Sequence, residues 1–277
     1  MASKLDKLPT EAVLEAARDL DRRSTGEVLA LIHQQDGCAH AAVGDCLPEM
    51  EQAVDVLATV IGGGGRWFNV GAGTSGRLGV LDASEIPPTY GMSSRAVQAV
   101  IAGGDRALRH PVEGAEDDPE AAAFELAERG LSMGDAVVGI SASGRTPFVI
   151  GAMEAAREIG ARTIAITCDL DSPLAEYGEI AIVPEVGPEV VAGSTRMKGG
   201  LAQKMVLAAL STAVMVKLGK VRGNLMTHVT PVSNKLRGRA MRIVMEVAGV
   251  DSNRARALLR DSEGSVEEAL RSVRRSR

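Results

Sequence analysis

Aromatic residues are nearly missing from this chain: Phe, Tyr and Trp make up 2% of 277 residues, which leaves little surface for stacking bases or sugar rings. Histidine is scarce too, and His33, His40, His110 and His228 form no pair at metal-ligand spacing, so neither a zinc nor an iron site is expected. The three cysteines, Cys38, Cys46 and Cys168, are odd in number, far apart and without C-x-x-C spacing. They are expected as reduced, buried thiols. Net positive charge is lacking: the formal charge of −5 argues against a nucleic-acid partner, and a solvated helix end accounts for the locally basic residues 271–277. The longest apolar run, residues 205–216, falls well short of the ~20 residues of a membrane span, and Ser211 and Thr212 interrupt it, so it is expected as a buried helix. No apolar h-region opens the chain, whose start carries Lys4, Asp6, Lys7 and Glu11, so a cytoplasmic protein without an ordinary signal peptide is expected.

What the chain does have is apolar residues, 45% in all and mostly Ala, Val, Leu, Ile and Met, enough for one large α/β domain with small helical additions. Residues 10–35 carry a helical apolar stripe (Val13, Leu14, Ala17, Leu20, then Val28, Leu29, Ile32) broken at Ser24-Thr25, and a further helix is predicted over about 50–61, ending in Gly62-Gly63-Gly64-Gly65. Short apolar strands are predicted near 68–70, 96–101, 136–140, 162–167 and 179–183, separated by helices near 75–83, 119–129 and 147–160. Such alternation points to a doubly wound parallel sheet in a three-layer α/β fold, with ligands at the carboxyl ends of the strands. From about residue 195 the chain is predicted helical to its end, closing in a small helical bundle. The implied organisation is a helical lead-in over 1–60, a ligand-binding domain over 61–225 and a C-terminal helical region over 226–277.

Two loops carry the chemistry. Phe68-Asn69-Val70-Gly71-Ala72-Gly73-Thr74-Ser75-Gly76-Arg77-Leu78-Gly79 is a strand running into a glycine and hydroxyl loop that opens a helix, the build of an anion cradle. Gly71, Gly73 and Gly76 also satisfy the dinucleotide pattern G-x-G-x-x-G, which is weak by itself. The second loop, Ser141-Ala142-Ser143-Gly144-Arg145-Thr146-Pro147, again follows a strand and puts Ser141, Ser143 and Thr146 within six residues. Helix capping explains Thr146 and Pro147, but not the serines. A dinucleotide site does not call for this second loop, so the pair points to one phosphate on a small ligand.

Carboxylates are the remaining groups for proton transfer, because histidine is scarce and no G-x-S-x-G elbow appears. Glu85 precedes Pro87-Pro88, which are expected to force the chain out of helix and hold Glu85 at a rigid break. Glu113, Glu116 and Asp117 sit ahead of a helix that Asp118 should cap; they read as a solvated acidic helix start, with Glu116 equally open to a functional role. A third region, Val186-Gly187-Pro188-Glu189-Val190-Val191-Ala192-Gly193-Ser194-Thr195-Arg196-Met197-Lys198, leads into the buried helix. Ser194 or Thr195 could cap that helix, and Arg196 and Lys198 could approach an anionic group.

The segments from Gly71 to Glu85, Val112 to Asp117, Ser141 to Pro147 and Gly193 to Lys198, in this order, resemble the N-acetylmuramic acid 6-phosphate etherase family. Leu8-Pro9-Thr10-Glu11 and Gly219-Lys220-Val221-Arg222-Gly223-Asn224-Leu225-Met226 extend the resemblance over about residues 8–260. Ile86, Gly199-Gly200-Leu201-Ala202-Gln203 and Thr227-His228 depart from the usual family residues. The resemblance implies a sugar isomerase (SIS) domain, a homodimer, and cleavage of the sugar C3 ether to D-lactate without metal or cofactor, in cell-wall recycling. It implies Glu85 as acid and Glu116 as base, and a 6-phosphate held by Thr74, Ser75, Ser141, Ser143 and Thr146; Gly73, Glu189, Ser194, Arg196 and Lys198 are further candidate contacts. A carboxyl that donates a proton at neutral pH must sit in a dry or negatively charged place. A non-catalytic sugar-phosphate sensor and an aldose–ketose isomerase are the alternatives.

Overall fold

The computed structural model describes residues 10–229 and 234–275; the charged start at Lys4, Asp6 and Lys7, the motif residues Leu8 and Pro9, and the end of the basic tail lie outside them. Five parallel strands form one sheet: β1 (Trp67–Gly71), β2 (Val97–Ile101), β3 (Ala136–Ile140), β4 (Arg162–Ile166) and β5 (Ile180–Ile182), in the order β2-β1-β3-β4-β5. Strand residues alternate between two apolar clusters. Trp67, Val138, Ile140, Ile164 and Ile166 face one, while Phe68, Val70, Val137 and Ala165 face the other. Both faces are therefore covered, as a parallel sheet requires.

The first face carries α1 (Thr25–Asp45), α2 (Leu47–Gly62), α3 (Gly73–Tyr90) and α8 (Lys198–Lys217). The second carries α5 (Pro119–Glu128), α6 (Pro147–Ile159) and α7 (Pro173–Tyr177); a short α4 (Gly104–Ala107) follows β2. By length and composition α8 could cross a membrane, but Ala202, Val206, Leu207, Leu210 and Val214 are buried against the sheet and its neighbours, so it is a core helix of this fold. Beyond it α9 (Asn234–Ala248), α10 (Ser252–Asp261) and α11 (Val266–Arg275) enclose their own cluster of Ala240, Ile243, Val244, Ala255, Leu258, Val266 and Leu270, the expected small bundle.

The departures from expectation have local causes. Residues 10–24 contain only two short 3-10 turns, and the first regular helix starts at Thr25, where Ser24 and Glu27 form a reciprocal capping box. After α8 the chain leaves helix from 218 to 229 before α9. The helix opened by the first loop does not stop near 83 to 85: α3 continues through Pro87 and Pro88 to Tyr90 and ends on Gly91, whose φ of 64° supplies a left-handed cap. Pro87 and Pro88 each give up an i→i−4 bond, to the carbonyls of Ala83 and Ser84, a cost offset by packing, since Ile86 is buried to 1% exposure and Tyr90 packs against the same core. Glu85 therefore rides on a continuous helix. Among the cysteines, Cys46 and Cys168 are buried, and burial pushes the Cys168 thiol up to about 12, but Cys38 is exposed, contrary to expectation.

Candidate active site

β1 is followed by α3 and returns to β2 on one side, whereas β3 leads through α6 to β4 on the other. The sheet thus has its switch point between β1 and β3, where Gly71 pairs with Ile140, and a doubly wound sheet opens a ligand crevice at that place. Both hydroxyl loops start there. The first is tight: a Cβ on Gly76 would lie 2.6 Å from the carbonyl oxygen of Gly71 and from Ile101, so only glycine lets α3 begin this close to its strand. Gly73 is exposed with φ of 51°, Thr74 is half-buried and Ser75 is buried.

In the second loop the Ser141 hydroxyl accepts from the Gly144 backbone N–H at 3.1 Å and is hydrogen-bonded to the Thr146 hydroxyl at 2.9 Å and to Ser143 at 3.4 Å. Ser143 Oγ accepts from Arg145 N–H at 3.3 Å. Gly144 turns the loop with φ of 64° in a space where a Cβ would meet Ser172 Oγ at 2.2 Å. Arg145 is drawn away to Asp169, 3.0 Å from its carboxylate. Thr146 does occupy the N-cap position of α6 and Pro147 its first turn, yet the Thr146 side chain makes no capping bond. Its hydroxyl belongs to the serine cluster. Asp118, by contrast, caps α5 as expected, accepting from Glu120 and Ala121 N–H.

The third wall is the start of α8. A Cβ on Gly200 would lie 3.2 Å from the Thr74 methyl, and one on Gly199 3.3 Å from Ala142, so this helix touches both loops. Ser75 donates across the seam to Gln203 Oε1 at 2.9 Å. Neither Ser194 nor Thr195 caps α8. Glu189, buried to 1% exposure, does so from nine residues upstream, accepting from the N–H groups of Lys198 (3.0 Å) and Gly199 (2.9 Å). Lys198 is buried with its ammonium donating to Gln35 on α1 at 2.7 Å, and burial pulls its pKa down. The Glu189 carboxylate is thereby engaged by the α8 start and the Lys198 ammonium by Gln35. Ser194 is half-buried and Arg196 exposed near the same helix start.

Glu85 and Glu116 are not brought together within the chain. Glu85 lies ten residues past Ser75 on α3, or about 15 Å along the axis. It is exposed, on the wall of a cavity of about 160 Å³ between α3 and α8 with Asp82, Tyr90, Lys204, Ser211 and Thr212. The dry setting expected of an acid is not supplied by a single chain. Glu116 is exposed on the 3-10 turn Ala115–Asp117, where Ala115 packs on the opposite apolar cluster with α6. The carboxyl in the cavity that is dry is Asp82: its Oδ1 accepts from Ser211 at 2.9 Å, its Oδ2 is buried without a partner, and burial raises its pKa to about 6.

Asp82, Ser211 and Gln203 were not singled out in the sequence as parts of the site. A signal existed for Gln203, which is four residues beyond Gly199 and so shares its helix face. None existed for Ser211, which read as an interruption of an apolar run.

Comparison with known proteins agrees with this architecture. Residues 49–157 match the glucokinase regulatory protein N-terminal SIS domain, and residues 122–213 match the SIS domain. An N-acetylmuramic acid 6-phosphate etherase of Symbiobacterium thermophilum is 50% identical over 96% of this chain and 89% of its own length, and one of Jannaschia sp. is 49% identical over 97% and 85%. Among solved structures, a putative phosphosugar isomerase involved in capsule formation from Bacteroides fragilis superposes with a TM-score of 0.55 at 19% identity, over 73% of this chain and 95% of that one, a likeness of fold alone. By near full-length identity to these relatives, the chain belongs to the N-acetylmuramic acid 6-phosphate etherase family.

Proposed function

We propose that this protein is an N-acetylmuramic acid 6-phosphate etherase that releases D-lactate and leaves N-acetylglucosamine 6-phosphate. The observation that carries the reading is the meeting of two hydroxyl loops and the α8 start at the β1/β3 switch point, in a chain that matches named etherases along its length. The 6-phosphate is held by Thr74, Ser75, Ser141, Ser143 and Thr146, with the α3 and α6 N-termini adding partial positive charge. In the ring-opened sugar the C1 aldehyde acidifies the C2 proton. Glu116 takes that proton, the C3–O bond breaks as the C2=C3 bond forms, and Glu85 protonates the departing lactate oxygen. Water then adds at C3 and the C2 proton is returned, so that the ether is hydrolysed overall with no change of oxidation state.

The reading includes a homodimer in the cytoplasm. Glu85 lies about 15 Å along α3 from the cradle, whereas Glu116 precedes α5 on the other face of the sheet, so the reading has a second copy bring its carboxylate to the site. A second copy over the α3–α8 cavity would also dry Glu85, as its role as acid demands.

The test is to supply purified protein with N-acetylmuramic acid 6-phosphate and assay D-lactate. Release of lactate with the sugar phosphate as co-product is expected. Tight sugar-phosphate binding without lactate would replace the etherase by a sensor, and aldose–ketose interconversion would replace it by an isomerase.

A further inference from the structure

Gln203 is buried to 1% exposure, and its amide nitrogen Nε2 is buried with no hydrogen-bond partner, one of three such side-chain atoms among the described residues. An unsatisfied buried donor costs about 1–3 kcal/mol, so its retention beside a ligand crevice calls for a reason. Its other end, Oε1, accepts from Ser75 at 2.9 Å. A hydroxyl has one proton. In this arrangement Ser75 has spent its proton on Gln203 and can offer an anion only lone pairs.

We propose that Gln203 is a positioning residue of the phosphate cradle, whose side-chain amide sets the direction of the Ser75 hydroxyl proton. A half-turn of the amide places Nε2 against Ser75 Oγ. The formerly orphaned donor is then satisfied, Oε1 takes the unpartnered place in its stead, and the Ser75 proton is released toward the crevice, where a phosphate oxygen accepts it. Because Nε2 exposes no surface, a ligand reaches the amide only through Ser75, so the effect is indirect. The α8 start fixes the amide in place: Gly200, three residues earlier on the same helix, lies against Thr74, the neighbour of Ser75. The inference rests on the phosphate-cradle reading but not on the etherase chemistry.

The experiment is calorimetric titration of the full chain with inorganic phosphate. Gln203→Glu, titrated at alkaline pH where the carboxyl is ionised, offers only acceptors and holds the Ser75 proton, so phosphate binding should weaken by about tenfold or more, the worth of one hydrogen bond to a charged group. Gln203→Met, apolar and of similar length, leaves the Ser75 proton free without rotation of an amide, so binding should tighten by roughly two- to fivefold, within the range of one neutral hydrogen bond. In a Ser75→Ala background both effects should vanish, because Gln203 acts through that hydroxyl. Changes of the same sign in the two variants, or effects that survive in Ser75→Ala, would overturn the proposal. If the glutamate variant does not fold, the sign of the methionine variant and its loss in Ser75→Ala decide alone. Lactate assays on the unmodified protein judge the etherase reading separately, so failure of one is distinguishable from failure of the other.

Discussion

The phosphate cradle and the two proposed proton-transfer carboxylates are built on different principles. In the cradle the backbone leaves no choice: Gly76 is pressed against Gly71, Gly144 has φ of 64° against Ser172, and Ser141, Ser143 and Thr146 hold one another by hydrogen bonds. Glu85 and Glu116 are exposed, and their carboxylates have no hydrogen-bond partner among the described residues. One end of the site is over-determined before any ligand arrives. In the proposed function the other end would acquire its geometry from the substrate or a second copy of the chain. Anion binding is thus a local property of strand ends and helix starts, whereas acid–base chemistry is a property of the assembled site.

The largest effects should fall on the undetermined end. Glu116→Gln should lose lactate release by roughly 10²- to 10⁴-fold together with exchange of the C2 hydrogen in deuterated water, since both need the base. Glu85→Gln should lose lactate release on a similar scale yet retain the exchange. Mass spectrometry of recovered sugar phosphate reads this directly, and equal exchange in the two variants would break the assignment of roles.

This contrast also explains what could be read from the chain. The loops at Gly73 and Ser141 were legible because an apolar strand, glycine and hydroxyls in sequence specify a strand-to-helix turn with little help from elsewhere. The continuation of α3 through Pro87-Pro88 was not. There, packing of Ile86 and Tyr90 outweighs a local helix-breaking signal. The cap of α8 was hidden for a related reason, since Glu189 reaches it across nine residues of irregular chain while the nearer Ser194 and Thr195 leave the role unfilled. Pairings across the α3–α8 seam, Ser75 with Gln203 and Asp82 with Ser211, join residues 128 and 129 apart in sequence, and no local pattern announces them.

Asp82 sharpens the comparison from inside the cavity, because it is half-buried with its Oδ2 fully covered, whereas Glu85 is exposed. Burial raises its pKa to about 6 from an ordinary 3.8, with Ser211 and Lys204 pulling the other way. The folded chain therefore holds this proton more tightly than the unfolded chain. Its stabilising contribution is full below about pH 4, is lost as pH rises toward about 6, and stays lost above, by at most about 3 kcal/mol at roughly 1.4 kcal/mol per unit. Asp82→Asn should remove this slope and leave the variant more stable than the parent at pH 7, but not at pH 4. Thermal melts across that window check it; a parent whose stability stays level or rises from pH 4 to pH 6 relative to the variant would show that the fold does not hold the Asp82 proton.

The smallest effect tests the over-determined end. Thr146 stands at the start of α6 much as Asp118 stands at the start of α5, but Asp118 accepts two backbone N–H bonds and the Thr146 hydroxyl is turned to Ser141. Asp118→Ala should therefore cost about 1 kcal/mol of stability, as loss of a cap does, and leave inorganic phosphate binding intact. Thr146→Val keeps the shape and removes only the hydroxyl, so it should lower the melting temperature by less than Asp118→Ala while weakening phosphate binding by roughly 1 kcal/mol, or several-fold. The two variants, measured side by side by melting and by phosphate titration, should cross. If Thr146→Val melts as early as Asp118→Ala and binds phosphate unchanged, its hydroxyl serves the helix after all, and the cradle is smaller by one of its five side chains.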